Sequence, residues 1–207
     1  MEAVIEKLNL FKEDTVYYRA GLVPSLIDLD SYYYLTHQGK GSPSDVGFFT
    51  AIERLYSVAY NIKFLCKAMD IDFVVPKMEG QWWIDGGFEA QKKFPETPES
   101  EWNWKIMIRM PDFVEADHFY RAVQLVKHKK PDLMDDQIKL ELAKASRCVQ
   151  ILHLGSYNQE QPSIESLIQF VNENGLRINQ HHKEIYLNDP RRTPEHKLRT
   201  IIRYGVE

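Results

Sequence analysis

Apolar residues recur every three or four positions across residues 44–69: Phe48, Ile52, Leu55, Ala59, Ile62, Cys66 and Met69. That spacing predicts an amphipathic helix. Phe49, Tyr56 and Tyr60 lie beside the stripe and widen it. So aromatic a face reads first as core and second as ligand contact. Ahead of the helix, residues 26–38 alternate loosely and are rich in tyrosine, as a strand would be. Gly39-Lys40-Gly41-Ser42-Pro43 breaks that strand, and Ser42 with Pro43 resembles a helix start, with Asp45 in its first turn.

Further along, residues 73–75 and 81–84 read as short strands, and 86–100 as a polar loop. Residues 101–110 alternate: Trp102, Trp104, Ile106 and Ile108 share one face, Lys105, Met107 and Arg109 the other. Residues 114–129 predict a second helix, and 132–145 a third, capped by Asp132 or Asp135. The pattern then restarts. Residues 147–154 form a strand, Pro162 opens a helix that Gly175 closes, and residues 181–187 and 198–204 are strands. Leu35-Thr36-His37-Gln38-Gly39 echoes Ile151-Leu152-His153-Leu154-Gly155.

Strand–helix–strand–strand therefore occurs twice, which is a duplication and not a solenoid. The expected fold is α+β. Residues 1–20 would be an N-terminal extension and 21–207 one domain. Its first half spans about 21–110, a helical insert about 114–145, and its second half about 146–207. Two such units place helices on one face of a mostly antiparallel sheet and leave the other face solvated or free to form a cleft.

In the strand over 181–187, Ile185 and Leu187 point one way and look like core. His182, Glu184 and Tyr186 point the other way. That face sets a carboxylate between an imidazole and a phenol. A solvated glutamate is the ordinary case, but aromatic residues make up 12% of the chain and its four tryptophans fall into two close pairs. Of Trp82 and Trp83, one indole can pack inside while its neighbour faces the opposite side. The tryptophans serve either as core or as a roof over Glu184. As a roof they would favour a flat cation, each cation–π contact contributing about 0.5–2 kcal/mol. A partly desolvated Glu184 could also act as a general base on water.

Other chemistry is poorly represented. The net charge of −4 argues against a nucleic-acid binder. Lys127-His128-Lys129-Lys130 reads as a helix C-terminus, which attracts cations. Cys66 and Cys148 sit far apart in apolar runs, fitting free thiols in a reducing compartment. The N-terminus does not resemble a signal peptide, and no apolar run approaches the ~20 residues that would span a bilayer. A cytoplasmic location and no membrane partner follow as expectations. No metal-ligand spacing appears, although histidines are present as the adjacent pair His181-His182, so neither a metal nor another cofactor is expected. There is no G-x-S-x-G, and Gly39-Lys40-Gly41-Ser42-Pro43 lacks the order of a phosphate loop.

The run from His182 through Glu184-Ile185-Tyr186-Leu187, Asp189-Pro190 and Thr193-Pro194 to Thr200 resembles the C-terminal signature of GyrI-like small-molecule-binding domains. His153-x-Gly155-x-Tyr157 resembles that family's entry to its second half. Gly39-Lys40-Gly41-x-Pro43, the helix carrying Tyr56 and Tyr60, and Pro76-Lys77-Met78-Glu79-Gly80-Gln81-Trp82-Trp83 resemble a stand-alone subfamily. Gln81 and Lys77-Met78 depart from its more apolar pattern. The resemblance covers roughly residues 20–207.

The resemblance implies two pseudo-symmetric units with a ligand cleft between them. In multidrug-sensing regulators of this fold a glutamate in the cleft meets aromatic cations, and Glu184 matches it. Their helix-turn-helix region has no counterpart here, so DNA binding by this chain is not expected. The implied function is multidrug-type binding of planar aromatic, often cationic ligands by Glu184, Tyr186, Trp82, Trp83, Tyr60, Tyr56, Tyr157 and His182. A first alternative is a cyclopropanoid hydrolase that detoxifies DNA-alkylating compounds, with Glu184 and Tyr157 directing water onto the strained carbon. A second is an interaction module that docks on gyrase.

Overall fold

The computed structural model describes residues 6–207. The chain runs β1 (Lys7–Leu8), α1 (Leu10–Glu13), α2 (Thr15–Tyr18), β2 (Ser25–Leu29), β3 (Tyr32–Lys40), α3 (Val46–Lys67), β4 (Asp72–Phe73), β5 (Met78–Trp83), α4 (Gly87–Ala90) and β6 (Asn103–Arg109). It continues through α5 (Ala116–Lys129), β7 (Lys139–Ala143), β8 (Ser146–Leu154), α6 (Gln161–Glu173), β9 (His182–Tyr186) and β10 (Arg199–Gly205). Eight strands form one antiparallel sheet in the order β2-β8-β10-β9-β5-β6-β3-β7. The two halves, β3-α3-β5-β6 and β8-α6-β9-β10, meet at the β5–β9 pair with mirrored strand order, as the duplication predicts.

The sheet is curled. β2 and β7 are its opposite edges, yet β2 runs into β3 through Asp30-Ser31 and β7 into β8 through Lys144-Ala145. These corners touch, with the Ala145 amide donating to Ser31 Oγ at 2.9 Å.

One face of the sheet carries the long helices. Leu55 and Ile62 of α3 pack on Leu35, Ile106 and Ile108, with Ala122 and Val126 of α5 joining them. Leu167 and Val171 of α6 pack on Val149, Ile151 and Ile202. Each fully buried aliphatic side chain contributes about 1.5–3 kcal/mol. Gly39 permits one close approach, because a Cβ there would stand only 2.3 Å from the Trp104 indole. Helix α6 starts at Gln161-Pro162, where proline lacks only an unused donor, and stops before Gly175, whose φ is +65°.

The concave face holds the second cluster: Tyr17, Tyr18, Tyr34, Met107, Cys148, Ile185 and Ile201. A cavity of about 320 Å³ opens on this face. Helices on one face and a cleft on the other are thus both present.

One expectation fails. Residues 132–145 do not form a helix. A short 3-10 turn at Pro131–Leu133 precedes β7, which pairs with β3. Leu140 lies opposite Leu35 and Glu141 opposite Tyr34, so the alternation of Lys-Leu-Glu-Leu fits an edge strand. The segment before residue 21 packs against the domain. β1 pairs parallel with β4, Tyr17 is fully buried, and Asp14 accepts from Arg109 Nη1 at 2.7 Å. Residues 1–5 of that segment lie outside the described residues.

Candidate functional site

Register decides which side chains meet. Across β9 and β5, Glu184 lies opposite Gly80 and His182 opposite Trp82. Glu184 also lies opposite Ile202, which packs under α6, and Gly80 lies opposite Ile106, which packs under α3. Glu184, His182, Tyr186 and Trp82 therefore share the helix-bearing face, with α3 over β3 and β6 and α6 over β8 on either side. This corrects the placement of Glu184 on the face opposite the helices. The alternation within β9 is as expected, but Ile185 and Lys183 are the residues that face the concave side.

At the centre, Glu184 is 9% exposed and its Oε1 lies 2.9 Å from His182 Nε2. The other imidazole nitrogen, Nδ1, lies 2.9 Å from the Tyr204 hydroxyl. Among the described residues no lysine or arginine pairs with Glu184; its hydrogen-bond partner is the His182 imidazole. The Trp82 indole N–H donates to the Tyr186 hydroxyl at 3.2 Å. A Cβ on Gly80 would come within 2.8 Å of that hydroxyl and 2.9 Å of the indole nitrogen. Glycine at this position leaves room for both groups. Tyr157 stands edge-on to Tyr186 at 5.6 Å between centroids and is 39% exposed, so it forms the solvent side of the site. Burial and the Glu184 charge push its phenol up to about 12. The same two causes raise Tyr186 well above the ordinary tyrosine value.

A residue that sequence reasoning missed completes the centre. Glu160, just ahead of α6, is 5% exposed; one carboxyl oxygen lies 4.0 Å from His182 Nε2 and the other has no hydrogen-bond partner among the described residues. Burial first, and the Glu184 carboxylate second, push Glu160 up to about 10. It therefore holds a proton at neutral pH while Glu184 is bonded to the imidazole. Glu160, His182 and Glu184 also place three donor atoms within 4.8 Å of one another, the group among the described residues that could hold a metal ion. No metal-ligand spacing marks it in the sequence, because α6 separates Glu160 from β9.

The remaining expected residues divide. Tyr56 is partly buried against the α3 core and neighbours Tyr60 at 6.3 Å; Tyr60 is exposed and lies beside Phe64. The Asp189–Arg191 ion pair of the proline turn lies close enough to act on the Tyr56 phenol, which burial raises. Trp83 is not part of the constellation. It points to the opposite face and stacks on His181 at 4.9 Å. Gln81 also faces that side, opposite Lys183 and Lys105, so the departure at Gln81 does not line the Glu184 site.

The model of the GyrI-like small molecule binding domain matches residues 23–204. The chain belongs to this family. A conserved protein of Listeria innocua is 32% identical, with 97% of this chain and 100% of that chain covered and a TM-score of 0.87. A protein described as a hydrolase from Listeria innocua is 31% identical over 97% of this chain and 100% of its own, with a TM-score of 0.83. The C-terminal domain of EcmrR, at 14% identity with 89% of this chain and 96% of that one covered, shares the fold at a TM-score of 0.55. Comparison with curated proteins gives no match. No helix among the described residues is long and apolar enough to cross a membrane.

Proposed function

We propose that this GyrI-like chain binds a flat, aromatic, cationic small molecule over Glu184 on the helix-bearing face. The observation that carries this reading is the charge balance at the centre. The nearly buried Glu184 carboxylate faces one imidazole beside the proton-holding Glu160, and no lysine or arginine pairs with Glu184 among the described residues. Burying negative charge without a full counter-charge is costly, and a ligand cation relieves that cost. Trp82, Tyr186 and Tyr157 supply ring faces and edges beside it, each cation–π contact contributing about 0.5–2 kcal/mol. Fluorescence titration with rhodamine 6G tests the reading. Glu184→Gln should weaken binding by about tenfold or more, and an unchanged affinity would overturn the charge pairing.

A second reading, a cyclopropanoid hydrolase, draws on the Listeria innocua relative described as a hydrolase and on the unequal carboxyl pair. Glu184 would take a proton from water as oxygen bonds to the strained carbon. The ring bond breaks, and its electron pair passes into the conjugated acceptor, which Glu160 protonates. Groups in environments that separate their proton affinities suit paired base and acid roles. Mass spectrometry of a cyclopropane-bearing alkylator should show a product heavier by one water; no product above the uncatalysed rate would remove this reading.

A further inference from the structure

The concave cavity lies across the sheet from Glu184 and has no role in the reading above. Its volume of about 320 Å³ falls within the ~300–1,000 Å³ typical of small-molecule sites. Leu29, Tyr32, Tyr34 and Met107 supply apolar wall. The charged lining consists of Lys105, Lys144, Lys183 and Arg203 against Asp30 and Glu141. Most of these charges are already answered or lie open to water. Lys105 pairs with Glu141 at 2.9 Å, and Lys183 pairs with Glu79 at 2.6 Å from within the sheet.

Arg203 differs. It is 2% exposed, and its guanidinium donates to Gln150 Oε1 at 2.6 Å and to the Tyr17 carbonyl at 2.7 Å, both neutral groups. The Tyr17 ring lies 4.5 Å away. The Nη1 group has no hydrogen-bond partner among the described residues. A buried guanidinium without a counter-ion carries an unmet desolvation cost, and an unsatisfied buried donor adds to it.

We propose that this cavity is a second ligand site, for a small aromatic carboxylate whose anion meets Arg203 and whose ring lies against Tyr32, Tyr34 and Met107. One uncompensated cation calls for a monoanion, and planar carboxylate geometry matches guanidinium. The apolar wall selects an aromatic body over inorganic phosphate.

Isothermal titration with 1-naphthoate tests the site, with 1-naphthalenemethanol as the neutral control. The wild-type chain should bind naphthoate saturably and bind the alcohol at least about tenfold more weakly. Arg203→Met should reduce naphthoate affinity by a similar factor. Ala145→Trp, at an exposed turn lining the cavity, should do the same without disturbing the buried network, with circular dichroism confirming the fold. Glu184→Gln should leave the affinity unchanged, which separates this site from the one on the helix face. Absence of saturable naphthoate binding, equal binding of the alcohol, or loss in Glu184→Gln but not in Ala145→Trp would each overturn the proposal.

Discussion

His182 holds the Glu184 carboxylate through Nε2 at 2.9 Å while the Tyr204 hydroxyl meets its Nδ1 at 2.9 Å, so a strand neighbour two residues away fixes the central acid. The phenol orients the imidazole from the other side. Tyr204→Phe removes one hydrogen bond and no charge. A single net hydrogen bond contributes about 0.5–1.5 kcal/mol. Rhodamine affinity should therefore fall by about two- to tenfold, less than in Glu184→Gln, by the same fluorescence titration. A loss as large as that of Glu184→Gln would place Tyr204 in direct contact with ligand.

Trp82 and Trp83 offer a sharper contrast, because adjacent indoles lie on opposite faces of β5. Trp82 donates to Tyr186, whereas Trp83 stacks on His181. Trp82→Leu should weaken dye binding by about tenfold through loss of the ring and of the Tyr186 contact. Trp83→Leu should leave dye affinity within about twofold. Equal losses in both would show that the ligand does not sit over Glu184.

The sequence makes the two faces of β9 legible, but not which layer covers each. Alternation places His182, Glu184 and Tyr186 together, and it is indifferent to whether helices or Tyr17 and Tyr18 lie above them. Both faces of this curled sheet are covered, so Ile185 looks like core and Glu184 is nearly as buried. Glu160 leaves no local signal, since only closure of the second half carries it to His182. Lys139–Ala143 misleads for another reason. Leu, Glu, Lys and Ala are strong helix formers, yet pairing with β3 outweighs that propensity.

On the concave side, Lys183 Nζ lies 2.6 Å from Glu79 Oε2 and 2.9 Å from the Tyr17 hydroxyl, which itself donates to Glu79 at 2.6 Å. Burial pushes the Lys183 amine below its ordinary value, and Glu79 opposes the shift. Removing one partner leaves the other charge buried. Lys183→Met should cost about 3–5 kcal/mol in urea denaturation. The Lys183→Met/Glu79→Leu double variant should be less destabilised than Lys183→Met alone. If the double variant loses the sum of both single losses, the two groups do not act as a pair.

Glu160 gives a pH signature of the opposite sign from an ordinary salt-bridged acid. Burial and the Glu184 carboxylate push its ionisation up to about 10 in the folded chain against an ordinary value of 4.5. Below about pH 4.5 both folded and unfolded chains hold the proton, so the group favours neither state. As pH rises from there, the unfolded chain releases the proton and the folded chain retains it, and stability is lost progressively towards pH 10. Glu160→Gln, neutral and of equal shape, removes that loss. In a chelating buffer its Tm should match the wild type near pH 4 and exceed it by roughly 10 °C at pH 8. Melting curves followed by circular dichroism across this range check the slope. A Tm at pH 8 below that of the wild type would mean that Glu160 is ionised in the folded chain and that its charge is held by a partner.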